Sequence, residues 1–269
     1  MHRRILVSLI LLLLGAAPLQ ARQRLNPAEP PRDRVEVGGL GYSFSEGISP
    51  WRGAVVRTEF VRGPRMVWLG EAVAEHRFGE PSFAYKLQHS ADFGAWITRV
   101  AGRTSNGGFY NPRYRVDLTL GRKLPPNRKV ILMASGFFRE VRDGHRDAAA
   151  TIETQVYLTP WLIAQGSVRY QISNPGNATS RYHDAALTIG RHQKATVVLH
   201  GAYGSEAYQI IDPLVIFTDF DSKMARAAWR QWFTRSSGVT VSGSWYSNPY
   251  YTRTGVELAF FFGFNAGGR

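Results

Sequence analysis

The amino-acid sequence predicts an all-β protein, a transmembrane antiparallel β-barrel of about fourteen strands. Three observations carry the prediction. A secretory leader opens the chain. Segments of about ten residues then alternate apolar and polar side chains with a period of two, each bounded by Gly, Pro, Asn, Asp or Ser. The last such segment is amphipathic and runs into an aromatic residue, Phe264.

The leader comes first. Arg3 and Arg4 form a basic start, Ile5 to Ala17 is an apolar run broken only by Ser8, and Pro18-Leu19-Gln20-Ala21 follows. This is the pattern of a signal peptide, residues 1–21, with cleavage expected after Ala21. The apolar run has 13 residues, whereas a spanning helix needs about 20. No later segment is apolar enough to span as a helix, and mean hydropathy is −0.23. Yet the chain carries 7 Trp, 12 Tyr and 15 Phe. A barrel reconciles these facts, because its strands point apolar side chains out and polar ones in, so no window reads as hydrophobic. The absence of cysteine excludes disulfides, thiolate metal sites and a lipidated cysteine.

Residues 22–33 combine prolines and charges without apolar periodicity and read as a flexible periplasmic lead-in. The barrel domain is expected over 34–264, with a short tail at 265–269. Its clearest strand is 112–121. Pro112, Tyr114, Val116, Leu118 and Leu120 fall on one face, and Arg113, Arg115, Asp117 and Thr119 on the other. A helix would mix the two sets; a strand separates them. The same alternation recurs at 148–158, 162–172 and 225–233. The full set of predicted strands is 34–44, 53–62, 65–77, 82–90, 94–104, 109–121, 129–141, 147–158, 161–172, 181–193, 195–208, 222–234, 238–247 and 250–264. Twelve strands is the alternative, with 82–90 and 94–104 as the weakest segments. With the N-terminus periplasmic, turns after even-numbered strands should be short, and those after odd-numbered strands longer, as at 45–52, 173–180 and 209–221. The seven tryptophans lie near segment ends, as interfacial girdles do. A soluble periplasmic β-protein would share the alternation but not these girdles.

In the final strand Val256, Leu258, Phe260, Phe262 and Phe264 share one face, opposite Glu257, Ala259 and Gly263. Arg253-x-Gly255-x-x-Leu258-x-Phe260, continued by Phe262 and Phe264, resembles the signal read by the outer-membrane assembly machinery, with Asn265 to Arg269 as an added tail. The body of the chain resembles the YaiO family of outer-membrane β-barrels. The likeness rests on Asn111-Pro112-Arg113-Tyr114-Arg115, on Tyr157-Leu158-Thr159-Pro160-Trp161, and on Val168-Arg169-Tyr170 followed by a polar loop and Ala185 to Gly190. The resemblance implies a barrel fold and an outer-membrane location, amid lipid and lipopolysaccharide. It brings no catalytic residues with it.

The chemistry available is sparse. Seven histidines are scattered, with no HExxH and no ligand-spaced His/Asp/Glu cluster, so neither a metal nor a cofactor is expected. His200, Ser205 and Glu206 are the best candidates for a base, nucleophile and orienter, and they stand for the alternative of a lipid- or glycan-modifying barrel enzyme. The favoured reading is non-enzymatic, a pore or envelope scaffold. Its lumen is expected to be lined by Arg57, Glu59, Arg99, Arg113, Arg115 and Asp117 from the first half of the chain. The second half should add Glu153, Arg169, Arg226, Arg230, Arg253 and Glu257. Net charge is +13, and 28 of the 33 basic residues are Arg, so the expected passenger is an anionic or sugar solute and not a nucleic acid. These charges either pair across strands and plug the barrel or line a polar path. Twelve to fourteen strands enclose more space than the roughly eight whose interior side chains alone fill.

Overall fold

The computed structural model describes residues 33–265, apart from 109, 143, 213 and 214. The expected signal peptide and nearly all of the lead-in and tail lie outside the described residues. The strands are β1 (Asp33–Phe44), β2 (Trp51–Arg62), β3 (Met66–Arg77), β4 (Glu80–Phe93), β5 (Trp96–Asn106), β6 (Pro112–Leu124) and β7 (Val130–Val141). They continue with β8 (Arg146–Thr159), β9 (Leu162–Asn174), β10 (Ala178–Arg191), β11 (Ala195–Asp212), β12 (Val215–Trp232), β13 (Ser237–Ser247) and β14 (Thr252–Phe264). Each strand pairs antiparallel with its sequence neighbours, and β14 closes the sheet onto β1. Fourteen strands are therefore observed, and the weak segments β4 and β5 are full members of the wall.

Period-two alternation explains why the sheet curls into this shape. Val37, Leu87, Val116, Leu118, Leu132, Ile152, Val256 and Phe260 are exposed on the outer wall. Their sequence neighbours turn inward, so burying the apolar set requires lipid outside. In a closed barrel every backbone N–H and C=O within the wall finds a strand partner, which the hydrocarbon interior demands.

Two expectations are corrected. Five tryptophans, at 68, 96, 161, 229 and 245, sit exposed on the outer wall, but Trp51 and Trp232 face inward and are buried. Both fall on inward parity, so their position near a strand end says nothing about lipid. The predicted long loops are also largely absent. Most of 209–221 continues β11 and β12 as a hairpin of two 18-residue strands, paired out to Asp212 and Val215. β9 likewise runs on to Asn174, and β10 begins at Ala178. The backbone ladder there runs past the predicted strand ends, through Ile210 paired with Ile216 in the β11–β12 hairpin and through Ser173 paired with Ala178 in β9 and β10. The β3–β4 connection is only Phe78-Gly79, at φ 51° and 80°, the two positive φ values that a tight hairpin turn needs.

The closing seam depends on one close approach. Tyr42 pairs with Gly255, and a Cβ on Gly255 would lie 2.0 Å from Tyr42 Cδ1. The Tyr42 ring thus lies against bare backbone, across the joint where β14 meets β1.

Candidate functional site

The lumen divides into three zones. The first clamps the seam. Arg57 on β2 donates from Nε to Glu71 on β3 at 2.8 Å, and from Nη1 to Glu36 on β1 at 3.0 Å and Glu257 on β14 at 2.5 Å. Glu36 also receives Arg230 of β12 at 2.6 Å, and Arg34 pairs with Glu59 at 2.6 Å. Three predicted lumen residues, Arg57, Arg230 and Glu257, thus meet in one network through Glu36, and a fourth, Glu59, forms a separate pair with Arg34. Sequence reading missed Glu36, Glu71 and Arg34. Glu36 and Glu71 complete the inward parity of β1 and β3, so alternation alone would have found them.

The second zone is the middle of the wall. Arg115 pairs with Asp117 at 2.5 Å and lies over the Phe137 ring. Arg99 and Glu153 both face inward; the Arg99 Nε is buried without a hydrogen-bond partner, and Glu153 receives Gln165 at 3.4 Å. Arg169 lies over the Tyr182 ring at 4.9 Å, and Arg226 donates to Ser242 at 3.3 Å. Water reaches this zone, since the side chains of Asp117 and Asp184 are 33% and 25% exposed, whereas the more exposed Asp92 caps the β4–β5 turn at the rim.

The third zone closes the end opposite the chain termini. Trp51 is 1% exposed, and the guanidinium groups of Arg77 and Arg253 both lie over its ring, at 4.4 and 4.9 Å. Arg253 also contacts the Tyr42 and Tyr246 rings, and its Nε and Nη1 lack hydrogen-bond partners. Tyr246 donates to Glu206 at 2.8 Å, and Asn248 holds Gln209 at 2.9 Å. Tyr208, near the base of the projecting part of the β11–β12 hairpin, reaches across to Asp147 of β8 at 2.8 Å, where Asp147 is also paired with Arg139. In the β13–β14 turn, burial pushes the Tyr251 phenol above its ordinary pKa, so it stays a neutral part of the plug.

Two predicted groups are not where the sequence puts them. Arg113 is 66% exposed on the outer wall, 3.7 Å from Glu140. A register shift between Pro112 and Tyr114 breaks the alternation there and turns the side chain away from the lumen. His200, Ser205 and Glu206 do not converge. Ser205 Oγ accepts from the Arg181 amide at 3.0 Å on the outer side, Glu206 belongs to the plug, and His200 Nε2 lies 3.3 Å from Asp184 Oδ1. The His200–Asp184 pair comes from a diagonal between β10 and β11, which only the register reveals. Among the described residues no group of three or more His, Asp or Glu side chains is arranged to hold a metal ion.

The profile of the YaiO membrane beta barrel domain matches residues 32–209. This chain belongs to the YaiO family. No curated protein matches it in sequence. Solved barrels share the fold of this YaiO protein at low identity. The CymD monoaromatic hydrocarbon channel superposes with a TM-score of 0.57 at 7% identity, over 88% of this chain and 90% of that one. The translocator domain of the autotransporter NalP from Neisseria meningitidis gives 0.51 at 10%, over 88% and 90%. A bacterial polysaccharide outer membrane secretin gives 0.52 at 9%, over 87% and 98%. The YaiO barrel is thus an integral outer-membrane protein, and its lumen is the place to seek its function.

Proposed function

We propose that this YaiO barrel is a non-enzymatic, solute-conducting pore whose outer mouth is held shut by side chains. Residues 1–21 direct its export, and Arg253, Gly255, Leu258, Phe260, Phe262 and Phe264 carry the assembly signal. The observation that supports the pore reading is the hydrated middle zone, where inward carboxylates at Asp117 and Asp184 still meet water. A barrel serving only as a filled post has no use for it, because each hydrated charge displaces packing that would stabilise the wall. Its passenger is an anionic or sugar solute. CymD, named as a channel, is a precedent for this architecture in conduction.

The sealed outer mouth favours a second reading, a closed scaffold in surface-polymer export. Planar-bilayer conductance of the refolded protein separates the two. The pore reading expects brief, low conductance in the wild type and a higher open fraction in Tyr208→Phe, which loses its tie to Asp147. Silence in both proteins, with heat-modifiable folding intact, overturns it.

A further inference from the structure

One line of paired residues crosses the lumen wall from β1 to β8: Glu36, Arg57, Glu71, Lys86, Arg103, Arg115, Arg139 and Asp147. Four consecutive members on β4 to β7 are cations, each directly opposite the next. Side chains directly opposite on one face stand about 5 Å apart, and like charges there are destabilising. An inner wall without a ligand has no reason to stack four of them.

The carboxylates nearby do not resolve the conflict. Glu71, opposite Lys86, is already engaged by Arg57 at 2.8 Å. Asp117 serves Arg115, and Asp147 serves Arg139. Lys86 and Arg103 are left, and among the described residues no carboxylate lies within ion-pair distance of either. Arg103 makes only a 3.4 Å contact to the Asn111 amide oxygen, and its Nε is buried without a partner. Burying unpaired cations costs free energy that an incoming anion returns.

We propose that Lys86 and Arg103, with Arg115 beside them, form a binding site for a small polyvalent oxyanion carrying carboxylate or phosphate groups. Guanidinium groups match such anions in two-pronged geometry, and Lys86 adds a compact charge. The site deepens the pore reading by naming the class of solute. It lies in the wall that carries hydrated Asp117, so a solute in the lumen reaches it without passing the plug.

The test is equilibrium binding to the refolded, detergent-solubilised full chain by titration calorimetry, with tripolyphosphate and citrate as probes at low salt. Saturable binding is expected, and the combined Lys86→Gln and Arg103→Gln change should weaken it at least tenfold. Arg113→Gln, which removes one positive charge from the outer wall, should leave affinity within twofold. If the double variant does not fold, Lys86→Gln alone should weaken binding severalfold. No saturable binding by the wild type, or equal affinity in the lumen variants, overturns the site. Binding without conductance removes the pore reading and keeps the site; conductance without binding does the reverse.

Discussion

The same register line behaves in two ways. Across β1, β2 and β3 it alternates in sign, with Glu36, Arg57 and Glu71 each held by a partner at 3.0 Å or less. Across β4 to β7 it keeps one sign. The backbone, pairing direction and facing are alike, so geometry does not account for the difference. The alternating half lies beside the joint where β14 meets β1, and its network ties β12, β14, β1, β2 and β3 together. The cationic half lies away from the joint, along the hydrated wall. Stability is concentrated where closure needs it and given up where a solute could use it.

The sharpest way to break this contrast is to remove the hub of the alternating half. Arg57→Ala leaves Glu36, Glu71 and Glu257 facing one another with less compensation. Breaking a buried ion pair by removing one partner costs about 3–5 kcal/mol. The expected outcome is a large drop in the urea midpoint of the heat-modifiable barrel. Arg57→Lys should recover only part of it, because one ammonium cannot reach three carboxylates in fork geometry.

A second test addresses the seam without touching a charge. Gly255→Ala places a methyl group into the Tyr42 ring. Overpacking of this kind costs about 1–3 kcal/mol, read as a lower urea midpoint and slower refolding into lipid vesicles. Adding Tyr42→Ala should return much of the refolding rate, since the obstruction goes with the ring. If the double variant refolds no faster, the glycine serves something other than room for Tyr42.

Most of the wall was legible in the sequence, and the reason is physical. A one-residue error in facing would put Leu118 in the lumen and Asp117 in lipid, so alternation is strongly enforced in the apolar belt. The signal fades where that constraint lifts. In 209–221 Ile210-Ile211 and Leu214 to Phe217 are runs of apolar residues without alternation, yet most of the segment is strand, paired within the β11–β12 hairpin. At Arg113 a register shift altered the facing that alternation predicts. The plug was the least legible part. Trp51, Arg77 and Arg253 lie far apart in sequence and meet only because β2, β3 and β14 join across the seam. The cationic line was hidden for the same reason. Arg115 was singled out and Lys86 was not, and nothing short of the register places Lys86 beside Arg103.

The smallest effect expected is also the one of opposite sign. Arg103 has a like charge on each side along the line, Lys86 and Arg115, and only a 3.4 Å contact to lose. Arg103→Gln should therefore stabilise the ligand-free barrel, by about 1 kcal/mol or less, the scale of a cross-strand pair. A higher urea midpoint at low salt is the expected reading. The gain should shrink as salt rises, since exposed parts of the repulsion are screened within about 10 Å at 0.1 M. A saturating polyvalent anion should reverse the order, because the wild type gains binding free energy that the variant lacks. A variant less stable than wild type without ligand would mean that Arg103 is part of the packing, and that the two halves of the line differ less than their charges suggest.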